Sequence, residues 1–295
     1  MKTAYDNGVN FFDTAEGYGD GKSEEIIGRS IKKAGWKRSD LVLSTKIFWG
    51  GSGPNDKGLS RKHILEGTDK SLKRLQTDYV DLIYCHRPDL ETPIEETVWA
   101  MNHIINQGKA LYWGTSEWSA MQILEACHIA KRDHLIPPAM EQPEYHMFHR
   151  QKVEKDFLPL YEQFGLGTTI YSPLWAGFLT GKYIKGIPEN SRVTLKGHQW
   201  RKDVFFSEEG LEKLEKVKKM SKIAEELGIS MANLALAWVL KNPYVSSAIT
   251  GASKPQQLEE NLKALNAMEK LSADVLNGVE EILNNKPEAD QDWKA

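Results

Sequence analysis

Asp13, Tyr18, Lys46 and His86 are the residues of this chain whose types and spacing could do chemistry. Asp13 closes a short apolar run, Val9 to Phe12, that reads as a buried parallel strand. An unpaired buried carboxylate is costly, so Asp13 needs a cation. Tyr18 follows on a loop that also holds Gly17, Gly19 and Gly21. Lys46 stands just past a second strand-like run, Leu41 to Thr45, and His86 just past a third, Tyr79 to Cys85. Lys46 paired with Asp13 and lying near Tyr18 would lower the phenol's pKa from its unperturbed value of about 10. Tyr18 then becomes a proton donor near neutral pH, and His86 offers a second hydrogen bond to the same oxygen. Each residue also has an ordinary reading: Asp13 as a helix cap, Tyr18 as a loop aromatic, Lys46 as a solvated charge, His86 as a satisfied strand-end histidine. The set is more telling than any member.

Positioning these residues takes a parallel sheet. Further strands read at 110–114, 139–142, 168–172 and 246–250, making seven in all. Helices read between them. One ends at Gly8, and one starts at Ser23 and runs to about Lys33. Another runs from Ser60 to Leu75, and a further one follows the box Thr92-Pro93-Ile94-Glu95 as far as Gln107. The rest span 119–132, 151–164, 208–227, 230–241, 255–267 and from Ser272 onward. Residues 176–207 form a connection too long to be routine and read as a working loop. Regular alternation of strand and helix means parallel strands, either doubly wound or closed into a barrel. No composition break marks a second domain, so residues 1–285 read as one domain and 286–295 as a polar tail. In a parallel barrel the C-terminal strand ends meet on one face, where Asp13, Lys46, His86, Ser116, Gln142, Ser172 and Ser253 would gather. A barrel of this type has eight strands. The count of seven and the start inside a helix lead to the expectation of a first strand lying before residue 1.

The totals exclude several classes. The 295 residues are 40% hydrophobic and 27% charged, enough for a sizeable core and a soluble surface. A net charge of −3 gives no overall pull toward nucleic acid or anionic membranes. No apolar run reaches the roughly 18 residues that span a bilayer, and the start is no signal peptide. Two cysteines are no disulfide framework, so a reduced, cytoplasmic protein is expected. His146 and His149 could ligate a metal, but no third ligand stands at the right spacing, and no metal is expected.

Several motifs together resemble the aldo-keto reductases. They are Asp13-Thr14-Ala15-Glu16-x-Tyr18-Gly19, Ser44-Thr45-Lys46, Cys85-His86-Arg87-Pro88-Asp89, Trp113-Gly114-Thr115-Ser116 and Gly251-Ala252-Ser253. The segments 108–116 and Glu141 to Phe148 are closer still to the branch containing the beta subunits of voltage-gated potassium channels. The resemblance implies an eight-stranded barrel of the TIM type, NADPH as cofactor, and hydride transfer to aldehydes or small ketones. It places Asp13, Tyr18, Lys46 and His86 at the four catalytic positions. Ser116 and Gln142 would hold the nicotinamide carboxamide, and Tyr171 would stack on its ring. Ser172, Leu174, Lys182 and Arg192 match positions that embrace the pyrophosphate. Gly251, Ser253, Lys254, Gln257, Glu260 and Asn261 match the adenosine end, where Lys254 could favour a 2′-phosphate.

Two departures from the family pattern bear on function. Channel beta subunits carry asparagine at the position of His86, so the histidine favours working reductase chemistry. Glu117 replaces the asparagine or arginine expected beside the nicotinamide and is left out of the site. The competing readings are a channel beta-like regulatory subunit and a catalytically impaired chain lacking its first strand. A small-molecule carbonyl substrate, a homo-oligomer and a channel partner follow from the resemblance; nucleic-acid binding and direct membrane insertion do not.

Overall fold

The computed structural model describes residues 1–189 and 191–289. The chain groups into two compact units, Met1–Pro143 with Asp156–Thr168, and Glu144–Lys155 with Thr169–Ala295. The seven strands are parallel neighbours in sequence order, β1 to β7, as the alternation requires. β1 and β7 are the two end strands of that order.

The first unit opens with α1 (Lys2–Asp6), β1 (Phe11–Asp13), α2 (Lys22–Ala34), β2 (Val42–Ile47) and α3 (Arg61–Leu75). It continues with β3 (Val80–Cys85), α4 (Ile94–Asn106), β4 (Ala110–Thr115), α5 (Ala120–Arg132), β5 (Met140–Glu141) and α6 (Leu158–Phe164). β6 (Gly167–Ile170) begins here, pairing Gly167 with Met140 and Thr168 with Glu141. Its buried apolar residues include Leu43 and Ile47 of β2, Val80 and Ile83 of β3, Trp113 of β4, and Ile64, Val98, Met101, Ile104 and Ile123 from the helices. Burying each such side chain contributes about 1.5–3 kcal/mol, and so holds the strands rigidly under their terminal residues.

The second unit takes the end of β6, where Thr169 pairs with Ser247 and Ile170 with Ala248 of β7 (Ser247–Ala248). Its helices are α7 (Trp200–Phe205), α8 (Glu208–Glu226), α9 (Met231–Leu240), α10 (Pro255–Leu262), α11 (Ala264–Ala267) and α12 (Ala273–Leu283). α9 is apolar nearly all round and lies in a core with Phe178, Phe205, Val217 and Val279. No single helix among the described residues is long and apolar enough to cross a membrane. α8 and α9 meet that length and composition only as a pair bent by 91°.

Local differences from the sequence reading have physical causes. The cap of α2 is Gly21, at φ +85°, and not Ser23, whose Oγ accepts a bond from Thr14 Oγ1 instead. Thr92 forms no capping box. Pro93 takes the cap position, and the Thr92 hydroxyl donates to Asp89 Oδ2 at 2.8 Å. The helix at 151–164 opens as a π-helical turn, Lys152–Asp156, before α6. The stretch 255–267 is divided into α10 and α11. The long connection holds two short 3₁₀ turns, Trp175–Thr180 and Arg192–Thr194, besides α7. Of the tail, residues 290–295 lie outside the described residues.

Candidate active site

The strand ends of the first unit are tied together by a staircase of backbone bonds. Glu16 N donates to Lys46 O at 3.1 Å and His86 N to Ile47 O at 3.0 Å. Ser116 N donates to Cys85 O at 2.9 Å and Gln142 N to Thr115 O at 2.8 Å. His86, Ser116 and Gln142, each just past a strand, are thereby fixed to the strand before, and Glu16, three residues past β1, to the strand after. Parallel register does the rest, setting Asp13 beside Ser44, and Lys46 beside Tyr84. β2 runs through Ile47, so Lys46 is a strand residue and its side chain is fully buried.

Buried lysine demands compensation, and Asp13 supplies it. Lys46 Nζ donates to Asp13 Oδ2 at 2.5 Å and to Thr14 O at 2.7 Å. The second Asp13 oxygen accepts from Ser44 Oγ at 2.5 Å and from Gln142 Nε2 at 3.2 Å. A buried pair tied by these further bonds is held in one geometry, and removal of either partner strands the other charge. Lys46 Nζ lies 5.0 Å from the centre of the Tyr18 ring. Tyr18 itself is 43% exposed, the most open of the four candidate residues.

His86 completes the group. Its ring meets Tyr18 edge-on at 5.5 Å and Trp49 edge-on at 4.9 Å. Burial, reinforced by the Lys46 and Arg87 charges, pushes its pKa down to about 2, so the imidazole is neutral throughout the physiological range. His86 Nδ1 is buried with no hydrogen-bond partner among the described residues. A neutral ring beside a phenol suits hydrogen bonding to an uncharged carbonyl better than binding an anion. Arg87 donates to His86 O at 2.5 Å and to Ser116 Oγ at 3.2 Å, and the Ser116 hydroxyl donates to Gln142 O at 2.8 Å. Ser116 and Gln142 thus belong to the same bonded group as Asp13.

The remaining candidates lie in the second unit. Tyr171 bridges to Glu144, and its carbonyl accepts from Tyr145 N. After it the backbone enters left-handed conformations at Ser172 (φ +57°), Trp175 (φ +43°), Ala176 (φ +52°) and Gly177 (φ +89°). Such conformations are uncommon outside glycine and persist where packing holds them. Here the Trp175 ring lies against His146, Phe178 and Phe205, and Leu174 packs on the same core. A Cβ on Gly177 would come within 2.4 Å of Lys182 Nζ, so the ammonium rests on the backbone of this turn. Burial and the neighbouring Arg192 charge lower the pKa of Lys182. The same two causes lower that of Arg201, whose Nε is buried without a hydrogen-bond partner among the described residues. Two cations lowered by burial and by the Arg192 charge, one with a buried donor open, fit an anionic ligand such as a phosphate.

Around α10, Gln257 Oε1 accepts from the backbone N–H groups of Ser253 (2.9 Å) and Lys254 (3.2 Å). Glu260 accepts from Asn233 Nδ2 at 2.9 Å and from Lys263 at 2.8 Å. Asn261 is half-buried, and Gly251 is exposed. No group of three or more His, Cys, Asp or Glu side chains among the described residues could hold a metal ion.

Sequence reading missed Arg201, Trp49 and the placement of Arg87. Arg87 stood inside a recognised motif and was given no role. Trp49 sits in a loop and Arg201 in the short helix α7 within the long connection, where no period or spacing marks a residue that folds back onto a site.

The strand-end tetrad on a parallel sheet is matched by whole-chain similarity: residues 1–284 fit the aldo/keto reductase family model, and the chain belongs to that family. Its fold class is accordingly the (β/α)8 type. Among individual relatives, the chain is 55% identical over 295 residues to a "Probable voltage-gated potassium channel subunit beta" of Arabidopsis thaliana. The match covers 100% of this chain and 89% of that protein.

Proposed function

We propose that this protein is an NADPH-dependent reductase of aldehydes or small ketones, with Tyr18 as proton donor. The observation that carries the reading is the fully buried Lys46, paired with Asp13, 5.0 Å from the Tyr18 ring centre, with neutral His86 at the phenol's edge. Bound NADPH would supply the hydride. Ser116 and Gln142 suit the nicotinamide carboxamide, and Tyr171 offers an aromatic face to the ring. Ser172, Leu174, Lys182 and Arg192, joined by Arg201, suit phosphate. Gly251, Ser253, Lys254, Gln257, Glu260 and Asn261 suit the adenosine portion.

This chain's residues have the following parts. His86 and Tyr18 hydrogen-bond the substrate carbonyl oxygen and orient it. As negative charge develops on that oxygen, Tyr18 delivers its proton, and the Lys46 ammonium stabilises the phenolate left behind. Asp13 holds Lys46 in place and balances its charge in the resting state. Trp49 walls the carbonyl's approach and keeps water from His86. A reduced interior compartment of the cell would supply both cofactor and substrate.

The test is consumption of NADPH with 4-nitrobenzaldehyde, with the alcohol identified as product. Turnover that needs both reagents supports the reading. An absence of turnover by folded, NADPH-saturated protein would oppose it. A second reading, a regulatory subunit of a channel, is favoured by the relative's name. It predicts tight cofactor binding with negligible turnover, and co-purification with a channel's cytoplasmic segment.

A further inference from the structure

Tyr18 sits on an open loop, and a proton donor must be held to within a fraction of an ångström to work. What holds that loop is a second buried acid–base pair that the reaction does not use. Glu16, two residues before Tyr18, has a fully buried side chain. Its Oε1 accepts from Phe48 N at 2.6 Å and lies 2.9 Å from Nε2 of buried His63, in the first turn of α3. Its Oε2 is buried with no hydrogen-bond partner among the described residues.

The space around the pair is shaped to admit it. A Cβ on Gly50 would lie 2.7 Å from the His63 ring and 2.8 Å from Glu16 Oε2. One on Gly67 would lie 3.0 Å from the same oxygen. Phe48 opens the loop that carries Trp49, and this loop closes on itself through Gly58 N to Phe48 O at 2.9 Å and Gly50 N to Asp56 O at 2.8 Å. One carboxylate therefore joins three pieces: the Tyr18 loop, the Trp49 loop and the start of α3. Tyr18 and Trp49 are the two rings that flank His86.

From this geometry we infer that the Glu16–His63 pair is the positioning element that sets Tyr18 and Trp49 around His86. The inference rests on the reductase reading for its kinetic consequences, but not for its structural ones. A buried carboxylate with one unmet oxygen is costly as a mere packing element. Its side-chain bonds go to the Trp49 loop and the start of α3, while its backbone N–H is tied to Lys46 O of β2. Glu16 touches no reacting atom; it acts through Tyr18 and Trp49.

The test compares four proteins: the parent, Glu16→Ala, Glu16→Gln and Asp81→Asn. Asp81 accepts from Arg38 and Leu43 N elsewhere in the first unit, and its variant serves as a matched loss of stability. Glu16→Ala should lower kcat per folded molecule about tenfold or more and raise the aldehyde KM, with the Kd for NADPH within about twofold of the parent. Glu16→Gln keeps the acceptor for Phe48 N and should recover most of the rate. Asp81→Asn should lower Tm without changing kcat. Hydrogen exchange on the cofactor-free protein provides a separate readout: Glu16→Ala should speed exchange over residues 14–20 and 47–50 and leave β3 and β4 unchanged. Should Glu16→Ala fail to fold, His63→Gln, which leaves the bond to Phe48 N, takes its place with an expected loss of about threefold. Unchanged kcat in the folded variant, or exchange that rises everywhere as in Asp81→Asn, would overturn the inference. A parent without turnover defeats the reductase reading instead, and the exchange pattern then decides the positioning role alone.

Discussion

The two units solve opposite electrostatic problems. In the first, charge is neutralised internally: Lys46 is buried against Asp13, whose other oxygen is filled by Ser44 and Gln142. In the second, Lys182 and Arg201 are held beside Arg192 at a cost visible in their lowered pKa values, and Arg201 Nε is left open. A self-balanced cluster suits a transient reacting oxygen, since it must be complete before the substrate arrives. An unbalanced one suits a permanently charged ligand that completes it. The backbone follows the same division. Asp13, Lys46 and His86 lie in or just past strands in regular register, with Tyr18 on the loop after β1, whereas the cations follow a turn strained at Ser172, Trp175 and Ala176.

The most damaging way to break this contrast is to remove the balance in the first unit. Lys46→Met leaves Asp13 charged and buried, so stability should fall by about 3–5 kcal/mol in denaturant titration. Turnover should fall on the order of 10²–10³-fold, since the cation beside the developing phenolate is lost. A change confined to KM would place Lys46 in binding and not in catalysis.

The second unit should respond in the other sense. Arg201→Met removes one unbalanced cation, so the Kd for NADPH should rise about ten- to a hundredfold in fluorescence titration, the loss of a charge-assisted bond of roughly 1.5–3 kcal/mol. The stability of the cofactor-free protein should hold or improve, because the remaining cations repel less. A fall in that stability would show that Arg201 is already balanced within the protein.

His86 gives a smaller and pH-dependent effect. Its pKa is about 2 in the folded protein, against roughly 6.5 for free histidine. Between those values the unfolded chain binds a proton that the folded protein does not. Stability should therefore decline as pH falls below about 6.5, by up to roughly 1.4 kcal/mol per pH unit. His86→Asn removes that slope, so the parent should lose about 2 kcal/mol more than the variant between pH 7 and pH 5. Parallel stability curves for the two proteins would mean that His86 takes up its proton in the folded state as readily as in water.

Much of this was legible in the residues. Short runs ending in polar residues located the seven strands of the described sheet; the inner ones, β2 to β4, stood out because their runs are mostly apolar and, in the folded chain, mostly buried. Ser60, Ser119, Ser230 and Ser272 marked helix starts correctly, each accepting a backbone N–H in the first turn. Ser23 and Thr92 did not, since their hydroxyls found partners outside the helix. The Asp13–Lys46 pair was legible from the cost of burying either alone. Glu16 was quoted in a motif without a role, because its partners Phe48 and His63 lie 32 and 47 residues away and no local pattern joins them. Arg201 was hidden for the same reason: a residue in a long connection gains its meaning only from where the loop returns.

Proton delivery by Tyr18 is the step on which the proposed reaction turns. The direct measurement is single-turnover reduction of 4-nitrobenzaldehyde by the NADPH-saturated protein, comparing the parent with Tyr18→Phe. The hydride-transfer rate should be at least about a hundredfold lower in the variant, with NADPH affinity unchanged and the Asp13–Lys46 pair intact. A Tyr18→Phe protein that keeps most of the parent's rate would contradict it.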